Sequence, residues 1–172
     1  MINRILILMF TASTIQLSAS EQELITFELQ DQFKNDHFSE DVLGSVVVVL
    51  CSDKNGSQYN DVWGRSISDS IKQEAGFPNV KFLPVADLRG VPFFLKGFVR
   101  GKFPEDSTRW VLMDWKGLFP KAYDLLAEAC NIVIFNQSGQ FIHKDAVYEM
   151  DEAILNRVLA IIRKTLRTDG DN

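Results

Sequence analysis

Residues 46–51 read Val-Val-Val-Val-Leu-Cys, an unbroken apolar run dominated by β-branched side chains. Such side chains lose χ1 freedom in a helix and pack well on a pleated surface, and the run is short for a core helix. Because it is apolar on both faces, it reads as a strand covered on both sides, the kind found inside α/β sheets. The rest of the chain must then supply its neighbours and two covering layers. The next segment, Ser52-Asp53-Lys54-Asn55-Gly56-Ser57-Gln58, is polar and contains a glycine. A loop in that place is where α/β folds usually keep their chemistry. It holds hydroxyls at Ser52 and Ser57, but no histidine and carboxylate are placed by sequence to activate them. A helix cap explains Ser57 better.

Downstream, Tyr59, Val62, Trp63, Ile67 and Ile71 recur every three or four residues, an amphipathic helix capped by Ser57 or Asn60 and ended by Gly76 and Pro78. Val80, Phe82 and Leu83 form the second core strand, with Pro84 breaking the run and Val85 beyond. Strand, helix, strand favours parallel pairing through a right-handed crossover. Upstream, Ile25, Phe27 and Leu29 alternate with polar residues as a half-buried strand requires, and Lys34-Asn35-Asp36 turns the chain into a short return strand at His37 and Phe38. Further on come a strand at 110–113, a turn at 114–117, and a helix at 118–129 with Phe119, Ala122, Tyr123 and Leu126 on one face. A hairpin follows, from 132–135 through the turn 136–139 to 141–143. The last helix is capped by Asp151 and carries a stripe of Ile154, Leu155, Val158, Leu159, Ile162 and Leu166.

With 172 residues, one domain is the default. A net charge of −5 provides no footprint for gripping a phosphate backbone, so nucleic acid is excluded as an expected partner. The first twenty residues differ from the rest: Arg4 gives a positive start, 5–10 is apolar, and Ser18-Ala19-Ser20 places small residues where a signal peptidase reads. We expect a signal peptide at 1–20, a domain at 21–167 and a frayed tail at 168–172, with a periplasmic or secreted location. A buried N-terminal strand or an uncleaved anchor is the alternative. No other segment is apolar enough to span a membrane after signal removal. Cys51 and Cys130 are the only cysteines and form no Cys-x-x-Cys pair; His37 and His143 are the only histidines. No metal centre and no cofactor are expected from this set. Residues 90–106 set Phe93, Phe94, Phe98 and Phe103 among Lys96, Arg100 and Lys102. The bland expectation is a helix at 92–100 that buries its aromatics; the sharper one is an exposed interaction surface of Phe93, Phe94, Phe98 and Arg100.

The element order resembles the thioredoxin fold in its redoxin form. Phe27-Glu28-Leu29-Gln30-Asp31-Gln32 resembles the opening strand of redoxins, Leu43-Gly44-Ser45 followed by the four valines resembles the approach to their active-site loop, and Asp114-Trp115-Lys116-Gly117 resembles their aspartate-to-glycine turn. Residues 132–140 resemble the strand and turn before their last helix. Within that fold the signal peptide, the polar Asp53-Lys54-Asn55-Gly56-Ser57, Phe98-Val99-Arg100 in the insertion and the C-terminal hairpin and helix make the chain similar to the YtfJ-like family of exported bacterial proteins, which lack the active-site cysteine pair. The resemblance implies an α/β, thioredoxin-like architecture: a mixed central sheet flanked by helices on both faces. It also implies that Asn55, Gly56, Ser57 and Gln58 form a degenerate active-site loop, with Asn55 and Gln58 where reactive cysteines would stand. Cys130 falls where such folds keep a proline facing the active site. Cys51 and Cys130 would then lie on adjacent antiparallel strands, close enough for a disulfide; two separate buried thiols are the alternative. No catalytic residue is assigned. Two functions remain: a non-catalytic binding or adaptor domain with an unknown protein or small-molecule partner, or a divergent thiol oxidoreductase or thiol-based metal handler using Cys51 and Cys130.

Overall fold

The valine run lies at the centre of a five-stranded sheet. The computed structural model describes residues 22–168, so the expected signal peptide and the last four residues lie outside the described residues. Strand β3 (Val46–Ser52) is buried at every position. It pairs in parallel with β4 (Val80–Asp87), from Val46 opposite Val80 to Ser52 opposite Ala86. On its other side β6 (Cys130–Phe135) runs antiparallel, with Val47 opposite Phe135 and Cys51 opposite Asn131. Strand β5 (Leu112–Asp114) extends the sheet beside β4, and β7 (Phe141–Val147) beside β6, giving the order β5-β4-β3-β6-β7. The parallel β3–β4 pair is connected by helix α1 (Ser57–Ile71), as the strand, helix, strand pattern requires.

Alternation along β3 divides the core in two. Val46, Val48 and Leu50 point to one face, where Trp63, Ile67 and Ile71 of α1 meet Val158, Leu159 and Ile162 of helix α4 (Glu152–Thr168). Val47, Val49 and Cys51 point to the other, against Phe27, Val42 and the Phe119 and Tyr123 rings of helix α3 (Leu118–Tyr123). Each fully buried valine contributes about 1.5–3 kcal/mol, which is why a strand with no polar face is stable only in this position. The α/β architecture, with helices on both faces of a mixed sheet, is the expected one.

Several local expectations are corrected. Pro84 does not end its strand: β4 continues through it, because β5 pairs with β4 only from Val85 onward and Pro84 sits where β4 is still an edge. Helix α1 stops at Ile71, and Val62, on its outer side, is 50% exposed. Helix α3 ends after Tyr123, where Asp124 takes a left-handed conformation (φ 49°) and its N–H bonds the Pro120 carbonyl. Leu126 consequently leaves the apolar face and is exposed. The opening hairpin, β1 (Glu28–Gln30) with β2 (Asp36–Phe38), forms a separate two-stranded sheet. It is organised by buried Asp31, whose carboxylate accepts from the N–H groups of Phe33 (2.8 Å) and Asn35 (2.9 Å) and from the Asn35 and His37 side chains. Asp151 caps α4 as expected, accepting from the N–H groups of Ala153 and Ile154, and α4 reaches Thr168, the first residue assigned to the tail.

Candidate functional site

The loop after β3 is organised by Asp53. Its Oδ1 accepts from the N–H groups of Asn55 (3.0 Å) and Gly56 (2.8 Å), its carbonyl accepts from Ser57 N–H (3.0 Å), and its Oδ2 accepts from Glu128 N–H (3.0 Å). A carboxylate therefore sits on the amides at the N-terminal end of α1, the electropositive position at which an active-site thiolate would be stabilised. Ser57 and Asn60, the expected caps, do other work. Ser57 Oγ donates to the Lys54 carbonyl at 2.8 Å, and Asn60 Nδ2 donates to Ser52 Oγ at 2.7 Å. Sequence reasoning missed Asp53, whose signal is positional: an acidic side chain two and three residues ahead of amides that have no intrahelical acceptor.

The loop is pressed against the segment that precedes β6. Gly56 is buried, and a Cβ placed on it would lie 2.2 Å from the Ala129 carbonyl oxygen. Asn55 Nδ2 donates to Glu128 Oε1 at 3.1 Å across the same junction. Behind it, buried Asn131 accepts from Leu126 N–H at 2.9 Å and donates to the Leu126 carbonyl at 2.8 Å and the Cys51 carbonyl at 3.2 Å. Asn131 thus ties β3, β6 and the Leu126 turn together. Between them lies a shallow, solvent-open recess without room for even a water molecule inside it, lined by Cys51, Ser52, Asp53, Asp87, Leu125 and Asn131 among others. Asn55, Ser57 and Gln58 are exposed around the loop.

Beside the recess, Asp87 and Asp114 are partners in the β4–β5 register. Arg89 chelates Asp87 through Nε and Nη2 at 2.7–2.9 Å. Asp114 is fully buried and accepts from Phe119 N–H at 3.0 Å. Arg89 lies directly over Gly117, whose left-handed φ of 65° and absent side chain make room for it; a Cβ there would be 1.9 Å from Arg89 Cδ.

The two cysteines lie on adjacent antiparallel strands, as the resemblance implied, but they are both free thiols. Cys51 pairs with Asn131, one residue past Cys130, so the two side chains alternate to opposite faces of the sheet. Cys51 packs with the α3 layer and Cys130 with the α1–α4 layer, and a bridge through the sheet is excluded by that parity. Burial, then the nearby charges of Asp87 and Asp114, push the Cys51 thiol well above its ordinary range. Burial alone pushes Cys130 up to about 12. At neutral pH a thiol with that value is ionised in about one molecule in 100,000.

The aromatic insertion is the other correction. Instead of burying its rings, the chain makes a 3-10 turn at Phe93–Leu95 and a five-residue helix α2 (Lys96–Arg100), leaving Phe93 82%, Phe94 71% and Phe98 65% exposed. Arg100 is half-buried, donates to the Asp31 carbonyl and lies over the Trp115 ring. His37 and His143 are strand residues, each within hydrogen-bond reach of a carboxylate, Asp31 at 3.1 Å and Asp145 at 2.7 Å. Among the described residues no group of three or more histidine, cysteine or acidic side chains is placed to hold a metal ion.

No protein-family model and no curated protein sequence matches the chain. Solved structures do. The exposed lipoprotein thioredoxin Etrx1 of Streptococcus pneumoniae superposes with a TM-score of 0.58 at 15% identity, covering 78% of this chain and 98% of its own. A Chlorobium tepidum protein assigned as the thiol:disulfide interchange protein DsbE gives 0.61 at 15% identity, over 85% and 96%. A SCO1/SenC family lipoprotein of Bacillus anthracis gives 0.59 at 15% identity, over 85% and 96%. The chain therefore has the thioredoxin-like fold.

Proposed function

We propose that this thioredoxin-like chain is an exported binding or adaptor domain that does not perform dithiol exchange, built on the scaffold of proteins that do. One observation carries the reading: the helix end that should hold a reactive thiolate is closed by the Asp53 carboxylate, while both thiols are buried on opposite faces. Exchange requires a thiolate that can attack and a partner thiol that can reach the mixed disulfide. Neither Cys51 nor Cys130 meets the first condition, and their parity denies the second. Several structural neighbours are described as lipoproteins or thiol:disulfide interchange proteins, which is consistent with the export signal expected at residues 1–20. Placement in the YtfJ-like branch is part of the same proposal and is supported by the cysteine-free loop from Asn55 to Gln58.

The recognition surface on this reading is the exposed rim formed by Asn55, Ser57, Gln58 and Glu128. Its side-chain amides, hydroxyl and carboxylate suit a polar ligand or a protein segment approaching the end of the sheet. The alternative, a divergent thiol oxidoreductase or thiol-based metal handler, is favoured by one observation, that Cys51 lines the recess. An insulin-reduction assay separates the two. The binding reading predicts no turnover above buffer; an active wild type with a dead Cys51→Ser variant would reverse the assignment.

A further inference from the structure

We propose that the insertion at residues 91–104 docks the protein on an anionic lipid surface, with Phe93, Phe94 and Phe98 entering the interface and Lys96 and Lys102 facing the headgroups. Phe93 and Phe94 stand edge to face at 5.9 Å, and Phe94 and Phe98 are four residues apart across the 3-10 turn and α2. Three phenylalanines between 65% and 82% exposed within six residues concentrate apolar surface on one short segment. The same segment holds Lys96, Arg100 and Lys102 and no acidic residue, in a chain of net charge −5. Arg100 is held by the Asp31 carbonyl; Lys96 and Lys102 take part in no salt bridge of the described residues and lie on rings instead. Lys102 sits over Phe98 at 4.8 Å, and Lys96 over Trp115 at 5.0 Å. Uncompensated cations beside protruding rings are the arrangement that combines apolar insertion with attraction to anionic headgroups.

The bilayer is favoured over a second copy of the chain by charge: a two-fold contact through this patch would set Lys96 and Lys102 against the same cations of the other copy, whereas anionic headgroups complement them. A lipid interface adapts to the protrusion. The inference is independent of the redox reading, because vesicle binding and insulin reduction are separate measurements.

The test uses the full chain with vesicles of phosphatidylcholine, with or without phosphatidylglycerol. Variants are compared in the same chain, so residues 5–10 contribute equally to each. A Phe94→Trp variant should show a blue-shifted emission increment over wild type, quenched by brominated lipid, only with the anionic vesicles. The combined Phe93→Ser, Phe94→Ser and Phe98→Ser variant should bind them at least about tenfold more weakly, with an unchanged far-UV spectrum because these side chains are exposed. Lys96→Gln with Lys102→Gln should remove most of the salt dependence. Equal binding to neutral vesicles, an increment that stays solvent-like, or undiminished binding of the serine variant would overturn the proposal. A dimer that the serine substitutions dissociate, without effect on vesicle binding, would assign the patch to self-association instead.

Discussion

Replacing Gly56 by alanine tests the closed loop directly. The new Cβ would stand 2.2 Å from the Ala129 oxygen, 2.6 Å from its carbonyl carbon and 2.8 Å from its nitrogen. Relief to ordinary contact requires the two backbones to separate by about 1.2 Å, against the 3.4 Å lower bound of normal packing. No flexible side chain can absorb that movement. Ala129 lies between Glu128, whose N–H is held by Asp53, and the first residue of β6, and the turn before it is fastened by Asn131. The cost belongs at the upper end of overpacking, about 3 kcal/mol, and the ~1 kcal/mol that alanine gains over glycine in the unfolded-state balance does not offset it. The net loss of about 2 kcal/mol lowers Tm by roughly 4–8 °C in a chain of this size. Thermal and urea unfolding would measure it beside Gly97→Ala in α2. There no atom lies within 4 Å of where the new methyl would stand, so alanine should be neutral or stabilise by about 0.5–1 kcal/mol. A Gly56→Ala protein as stable as wild type would refute the contact between the loop and the Ala129 segment.

Alkaline titration should expose the buried acids. Cys130 and Tyr123 are each raised to about 12 by burial, and Cys51 is raised for the same reason and by neighbouring carboxylates. The unfolded chain releases these protons first, so stability is intact below pH 9 and falls as pH rises from 9 toward 12, by up to about 1.4 kcal/mol per group per pH unit. Flat stability across that window would contradict the burial of all three. Asp31→Ala should cost about 2–4 kcal/mol, since the N–H groups of Phe33 and Asn35 lose their acceptor. Burial would raise the Asp31 carboxyl, but the hydrogen bonds from Asn35, His37 and Phe33 outweigh it and hold it below its ordinary value of 3.8. Its stabilisation is therefore present above that value and lost as pH falls below it, and acid unfolding of wild type against Asp31→Asn would show the difference.

The sheet was legible because residues 46–51 leave no polar face, and α1 and α4 because their apolar stripes keep a helical period over many residues. Short-range signals misled where tertiary context decided. Pro84 looked like a strand break and is tolerated by the late start of β5. Leu126 kept the spacing of the α3 stripe, yet the left-handed Asp124 turns the chain before it arrives. The cysteines show the limit most clearly. Their adjacency followed from element order, but the face each one occupies depends on a single-residue register, Cys51 opposite Asn131, which no composition or spacing encodes. The insertion went the other way: aromatic residues are usually buried, and here Phe93, Phe94 and Phe98 stand exposed on a 3-10 turn and a five-residue helix. Asp53 stayed hidden because an aspartate in a polar loop carries no signal until the helix start behind it is located.

The central claim is that neither thiol is available for exchange, and counting thiols in the native protein tests it most directly. Ellman's reagent at neutral pH should label none in the fast phase and two after unfolding in guanidinium chloride, with intact mass unchanged by reductant beforehand. A single fast-reacting thiol that disappears in Cys51→Ser would contradict the account, and so would a two-proton mass gain on reduction.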